Sequence, residues 1–261
     1  MRSQSLIDHQ GLSLSDPADL RIEVRDIAGT KAFVIDNLYC SPDYVRQLAL
    51  SLDFRHANGH YPGRFANISL PVEPLLALVN RLLREHRLPK VEYQQYYRDM
   101  HFAVVTSRAE ELTLGQSQPH FDGFCDLAGV VYLNHDDDCA GGTSFWRHRS
   151  TGLSLAIDRG RPTFSTVMHR LDLPSHEALV QHCMREALHD LEPGWPLEST
   201  PYWERTAVVE MKWNRFVLYN AWLFHTIHYD AAAFGETLAE RRLTQNVYFS
   251  VQGAGSPNIA F

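Results

Sequence analysis

"PHFDGFCDLAGVVYLN", residues 119–134, sets a histidine and an aspartate two apart just before a hydrophobic run. How this stretch is read decides the fold. His120-x-Asp122 is either one jaw of a metal site on an extended segment or a pair of polar residues in a turn. The tripeptide alone does not discriminate. With 14 histidines and 17 aspartates in 261 residues, roughly one His-x-Asp is expected by chance. The chain holds three: His120/Asp122, His135/Asp137 and His228/Asp230. The second lies in "NHDDDCAGG", which reads as a solvated acidic turn, and the third has no comparable strand after it.

On an extended segment His120 and Asp122 project to the same face, because side chains alternate with period two. An imidazole and a carboxylate arriving together can hold two adjacent positions on one metal ion. Two histidines and one carboxylate leave three positions open on a non-haem iron. The second histidine must then come from a strand much later in the chain, brought alongside by sheet pairing. "NRFVLYNAWLFHTIHYD" (214–230) offers His225 and His228, which a regular strand cannot turn to the same face. Further on, "ERRLTQNVYFS" opens a β-rich strand with an arginine. Arg242 and Thr244 share one face there, where a guanidinium could clamp a carboxylate in a bidentate fork.

Working outward, residues 1–28 are polar and read as a lead-in segment, with 29–261 as one domain. "KAFVIDNLY" (31–39) reads as a strand. "SPDYVRQLALSL" reads as a helix with Ser41 as N-cap and Pro42 at its first position, burying Val45, Leu48, Ala49 and Leu52. "EPLLALVNRLLREH" (73–86) is a second amphipathic helix. Short strands follow at 92–97, 101–106, 128–134, 143–147, 206–211, 215–220, 222–228 and 242–251, with a helical insertion at about 150–205 whose helix spans 175–190. Many short strands with helices held at one end give a mainly β sandwich or barrel with supporting helices. "HYPGRF" (60–65) is either part of a substrate mouth or plain turn chemistry, and "FWRHR" (145–149) is either an anion contact or a solvated strand end.

Composition bounds the rest. A content of 44% hydrophobic and 21% charged residues is that of an ordinary globular chain. Net charge −7 argues against a nucleic-acid or anionic-membrane binder. Cys40, Cys125, Cys139 and Cys183 form no CxxC, so free thiols are expected and neither a zinc knuckle nor a disulfide framework. No signal-peptide pattern opens the chain and no apolar run would span a membrane, which makes the expected location cytoplasmic.

The ordered set of His-x-Asp, a distant His and then Arg-x-Thr resembles the Fe(II)/2-oxoglutarate-dependent dioxygenase superfamily, in particular its prolyl-hydroxylase-like branch. "GVVYLNHDDDCAGGTSFWR" is similar to that branch's strand ending Tyr-Leu-Asn, its acidic turn, and Gly-Gly before another strand. "NRFVLYNAWLFH" is similar to the approach to its distal histidine, and "RRLTQNVYF" to its arginine strand. The likeness covers roughly residues 100–250 and is weak in the N-terminal third and the insertion.

The resemblance implies a double-stranded β-helix, or jelly roll. It also implies His120, Asp122 and His225 as iron ligands and Arg242 as the clamp on 2-oxoglutarate, with Thr244 beside it. Tyr132 resembles the tyrosine that hydrogen-bonds the same carboxylate in some relatives. His225 is favoured over His228 because it follows "VLYNAWLF", and Arg242 over Arg241 because of the Arg-x-Thr spacing. The 17-residue interval from His225 to Arg242 is longer than in many such enzymes.

The implied activity is hydroxylation of an unactivated C–H on an amino-acid-derived, peptidyl or natural-product substrate, with Fe(II) as cofactor and 2-oxoglutarate as co-substrate. A non-catalytic jelly-roll binding module and a zinc hydrolase are the alternatives. The oligomeric state is left open.

Overall fold

The computed structural model describes residues 10–57, 61–68, 70–93, 100–156, 162–229 and 235–251. Along the chain run β1 (Arg21–Ile27), β2 (Thr30–Asp36), α1 (Pro42–Ser51), β3 (Arg55–His56), β4 (Gly63–Asn67), α2 (Glu73–Glu85), β5 (Val91–Tyr93), β6 (His101–Val105) and β7 (Leu127–Tyr132). They are followed by β8 (Gly141–His148), α3 (Pro162–Arg170), α4 (His176–Arg185), β9 (Trp203–Glu210), β10 (Phe216–Asn220), β11 (His225–Tyr229) and β12 (Leu243–Val251).

The large antiparallel sheet has the order β1-β2-β10-β7-β12-β6-β4-β3, with β5 beside β12, and the small one is β11-β8-β9. A two-way backbone bridge between His120 and His225 adds residue 120 to the small sheet's edge. From β6 onward the chain therefore alternates between the sheets: large at β6, small at His120, large at β7, small at β8 and β9, large at β10, small at β11, large at β12. That winding is the double-stranded β-helix, a jelly roll closed by two facing antiparallel sheets.

Period two sorts the large sheet's side chains into two cores. Phe33, Ile35, Phe102, Val104, Phe216 and Leu218 lie on the outer face and pack with Val45 and Ala49 of α1 and with Leu75, Val79 and Leu82 of α2. Ala32, Val34, Ala128, Val217 and Tyr219 lie on the inner face and meet Phe145 and Val209 of the small sheet. The large apolar side chains here each contribute about 1.5–3 kcal/mol of burial. A third core lies under the segment between β8 and β9, where Leu179 and Cys183 of α4 pack with Trp146, Trp203 and Phe224.

The paired glycines after the acidic turn have a steric cause. Gly141 (φ +104°) and Gly142 (φ +157°) enter β8 so close to the flanking strands that a Cβ would stand 2.0 Å from the His228 carbonyl oxygen and 2.1 Å from that of Val209. The acidic turn itself is an exposed helical turn, Asp136–Asp138, and His135 lies 3.6 Å from Asp43. In "FWRHR", Phe145, Trp146 and His148 are buried, and Arg147 pairs with Glu204 across the strands.

Several sequence expectations need adjusting. Residues 21–27 are not a free lead-in: β1 pairs with β2 through a two-residue turn in which Ala28 (φ 55°) and Gly29 (φ 78°) are both left-handed, the geometry that favours tight hairpins. The strand escaped notice because most of its residues are exposed on both faces, as an edge strand's can be. Ser41 sits at the N-cap of α1 without a side-chain capping bond, whereas Ser175 caps α4 by accepting from Ala178 N at 3.1 Å. The strand expected at 222–228 begins only at His225. Asn220 accepts from Trp222 N at 2.9 Å and holds residues 221–224 in a turn. The strands β3 and β4 and the helix α3 were not anticipated. Of the strand expected at 92–97, residues 94–97 lie outside the described residues, as does Asp230.

Candidate active site

The bridge that adds residue 120 to the small sheet also assembles the site. His120 N donates to His225 O at 3.0 Å and His225 N to His120 O at 2.8 Å, so the two imidazoles stand side by side with ring centroids 4.6 Å apart. Two residues on, Asp122 N donates to Ala221 O at 2.8 Å, which fixes the carboxylate against the turn that precedes β11. His120, Asp122 and His225 each offer a ligand atom, all within 4.8 Å of one another. Among the described residues they are the one cluster of three such groups at that spacing. His228 does not join it, since it sits on β11 opposite Gly142 and does not line the cavity.

The donor atoms suit a cation. His225 Nδ1 lies 2.7 Å from the Leu223 carbonyl. A carbonyl only accepts, so Nδ1 carries a proton, and Nε2, the nitrogen that would meet a cation, points inward, 3.4 Å from Asp122 Oδ2. Burial pushes the Asp122 carboxyl up, but the hydrogen bond and charge of His225, with His120 and His101 behind it, outweigh this and hold it below the usual carboxylate range. Two imidazoles and one anionic oxygen, converging from one edge, fit a hexacoordinate dication with open positions.

A cavity of about 740 Å³ opens onto the triad, and Arg242 lines the same cavity. Arg242 immediately precedes β12 and is only 4% exposed, and its Nε is buried without an acceptor. Among the described residues no carboxylate pairs with it. Asn134 fixes its place in the backbone: Oδ1 accepts from Leu243 N and Nδ2 donates to Arg241 O, both at 2.8 Å, so one side chain brackets residue 242 on both sides. Arg241 points elsewhere, donating to Gly235 O at 2.9 Å.

The other expected residues sit one step back. The Tyr132 ring lies 5.4 Å from the Arg242 guanidinium carbon, and its hydroxyl is 2.8 Å from Thr143 Oγ1. Tyr132 and Thr244 are both fully buried and neither lines the cavity; Thr244 donates to Asn246 Oδ1 at 3.1 Å. Further residues complete the wall: of the stretch 60–65, Tyr61, Pro62 and Phe65 line the cavity. Tyr61, inside "HYPGRF", brings its buried hydroxyl beside Arg242 and Thr244. Burial pushes its pKa up to about 12, only partly opposed by Arg242, so it stays a neutral donor. Asn246 and His101 meet across β12 and β6 at 3.4 Å. The period-two count from Arg242 would have found Asn246 and Tyr248, whereas the stretch around residue 61 offered a substrate mouth or a plain turn without pointing to the tyrosine.

Residues 18–249 match the family described as "Family of unknown function (DUF6445)". The chain belongs to it. No curated protein matches the sequence. Among solved structures, the DUF6445 chain is similar to one described as the non-heme alpha ketoglutarate dependent carbocyclase SnoK from nogalamycin biosynthesis. The identity is 12% over 88% of this chain and 83% of that one, with a TM-score of 0.45. No described helix of this DUF6445 member is long and apolar enough to cross a membrane.

Proposed function

We propose that this protein is a non-haem Fe(II)/2-oxoglutarate-dependent oxygenase. It hydroxylates an unactivated C–H of an amino-acid-derived, peptidyl or natural-product substrate while 2-oxoglutarate is decarboxylated to succinate. One observation carries the reading: a His-Asp-His cluster and a buried arginine without a counter-ion face the same cavity. A buried charge is costly unless paired. The pair of features calls for a ligand that is anionic at one end and chelates a metal at the other, and a 2-oxo dicarboxylate has that form.

His120, Asp122 and His225 would hold the iron. Arg242 would take the distal carboxylate, aided by the neutral Tyr61 hydroxyl. Bound iron supplies the redox chemistry of oxygen activation. The chain holds Asp122 below the usual carboxylate range, turns Nε2 of His225 toward it, sets Arg242 on the same cavity as the triad, and surrounds them with a mainly apolar lining. A zinc hydrolase built on the same triad would leave Arg242 unexplained.

The test is oxygen-dependent formation of succinate from 2-oxoglutarate by the Fe(II)-loaded protein, compared with His120→Ala. Wild-type protein that neither retains Fe(II) nor forms succinate above the variant would overturn the proposal.

A further inference from the structure

The helix α4 and the helical turn that continues it, Glu186–His189, have two working faces. Leu179, Cys183 and Ala187 point down into the third core. Gln181, Met184, Arg185 and Leu188, spaced i, i+3, i+4 and i+7, form a second stripe, and all four line the cavity. Gln118 ties this helix to the triad-bearing segment by donating to Met184 O at 2.8 Å. The segment between β8 and β9 is therefore a wall of the site, standing across from Phe65, Phe121, Phe124 and Tyr248.

Charge tells what this wall receives. In the proposed oxygenase, a dication and Arg242 carry three positive charges, while Asp122 and a dicarboxylate co-substrate carry three negative ones, so the inner site is balanced. Arg185 remains. It is exposed at the cavity's edge, and among the described residues no carboxylate pairs with it. Apart from the triad, its neighbours on the cavity wall are mainly aromatic and aliphatic. A cavity of about 740 Å³ is in the range that takes a drug-sized molecule, with room beside a small dicarboxylate.

We propose that the substrate is a free small molecule with an apolar, ring-bearing body and a single anionic group. The body packs between α4 and the aromatic side chains, and the anion is held by Arg185. This rests on the oxygenase reading and narrows it. Zwitterionic free amino acids and extended peptides are not substrates: among the described residues the one carboxylate lining the cavity is Asp122, which the metal would engage, and the lining around Arg185 is mainly aromatic and aliphatic.

The test uses the whole protein loaded with Ni(II) and 2-oxoglutarate, which binds without turnover, and reads binding by calorimetry. The probes are 3-phenylpropionate and naphthalene-2-acetate, their primary amides, free phenylalanine, and a proline-containing tetrapeptide. The carboxylates should bind about two- to fivefold more tightly than the amides. Arg185→Glu should erase that preference while leaving amide binding and the thermal stabilisation by Ni(II) and 2-oxoglutarate unchanged. Equal affinity for acids and amides, an unaltered preference in Arg185→Glu, binding of the peptide or phenylalanine instead, or no probe binding at all would each overturn the proposal. Failure of Ni(II) and 2-oxoglutarate to stabilise the wild type would instead strike the oxygenase reading, and the narrower proposal with it.

Discussion

Replacing Arg242 by methionine should raise the protein's stability without co-substrate and shrink the stabilisation that co-substrate adds. The guanidinium is 4% exposed, its Nε has no acceptor, and its visible compensation is two tyrosines, one of them with its ring 5.4 Å away. A cation over an aromatic face regains about 0.5–2 kcal/mol, less than the several kcal/mol that desolvating an unpaired charge costs. Methionine fills a similar volume without that charge. The ligand-free variant should therefore be more stable by about 1–3 kcal/mol, an upward Tm shift on the order of 2–10 °C for a chain of this size.

With Mn(II) present and 2-oxoglutarate at about one hundred times its wild-type Kd, the wild type should gain about 2.7 kcal/mol. Losing a charge-assisted pair weakens binding about 10- to 100-fold. The variant's gain then falls to between about 0.4 and 1.4 kcal/mol. Scanning calorimetry of both proteins in the two conditions reads all four values. A variant less stable than wild type without ligand would mean the guanidinium is already satisfied. An equal gain from 2-oxoglutarate in both proteins would remove Arg242 from the site.

Three further outcomes are expected. His120→Ala and His225→Ala should each lose Fe(II) on dialysis while His228→Ala retains it, read as bound metal per chain; the reverse pattern for the last two would reassign the third ligand. Asn134→Ala should cost about 2–4 kcal/mol in urea unfolding, because it strands the Leu243 N–H and the Arg241 carbonyl on either side of Arg242; it should also weaken 2-oxoglutarate binding. For Asp36, burial raises the carboxyl, but hydrogen bonds from Arg215 (2.6 Å) and Lys212 (2.9 Å) prevail and hold it below 3.8. Its contribution is thus fully present above that value and lost as pH falls through the lower folded pKa. Acid unfolding of Asp36→Asn should show a flatter slope below pH 3.8 than wild type, and parallel curves would contradict this.

What the sequence made legible was whatever leaves a local trace. The i, i+3, i+4 stripes of α1 and α2 are such traces, as are the apolar runs of β7, β10 and β12 and the Gly141-Gly142 pair forced by carbonyls at about 2 Å. His120 and Asp122 could be placed on one face from spacing alone, and the structure brings His225 to them. The edge strands β1 and β3 were not legible, because their side chains are largely exposed and carry no clear alternation, and β4, inside the sheet between β6 and β3, is short and begins with a glycine in a turn-rich stretch. Nor was Tyr61, whose hydroxyl meets Arg242 only through pairing of β4 with β6. Tyr132 and Thr244, expected beside the arginine, are both fully buried. Their hydroxyls are engaged with Thr143 and Asn246.

The bracket that Asn134 forms around residue 242 holds the peptide units and touches nothing of the side chain between them. Position and chemical identity are thereby separated at that point of the chain. The strand would start in the same place whatever side chain residue 242 carried. The cavity's preference there could therefore be rewritten by a single substitution, to an amide for a neutral co-substrate or to a lysine for a longer anion, with the surrounding scaffold left as it stands.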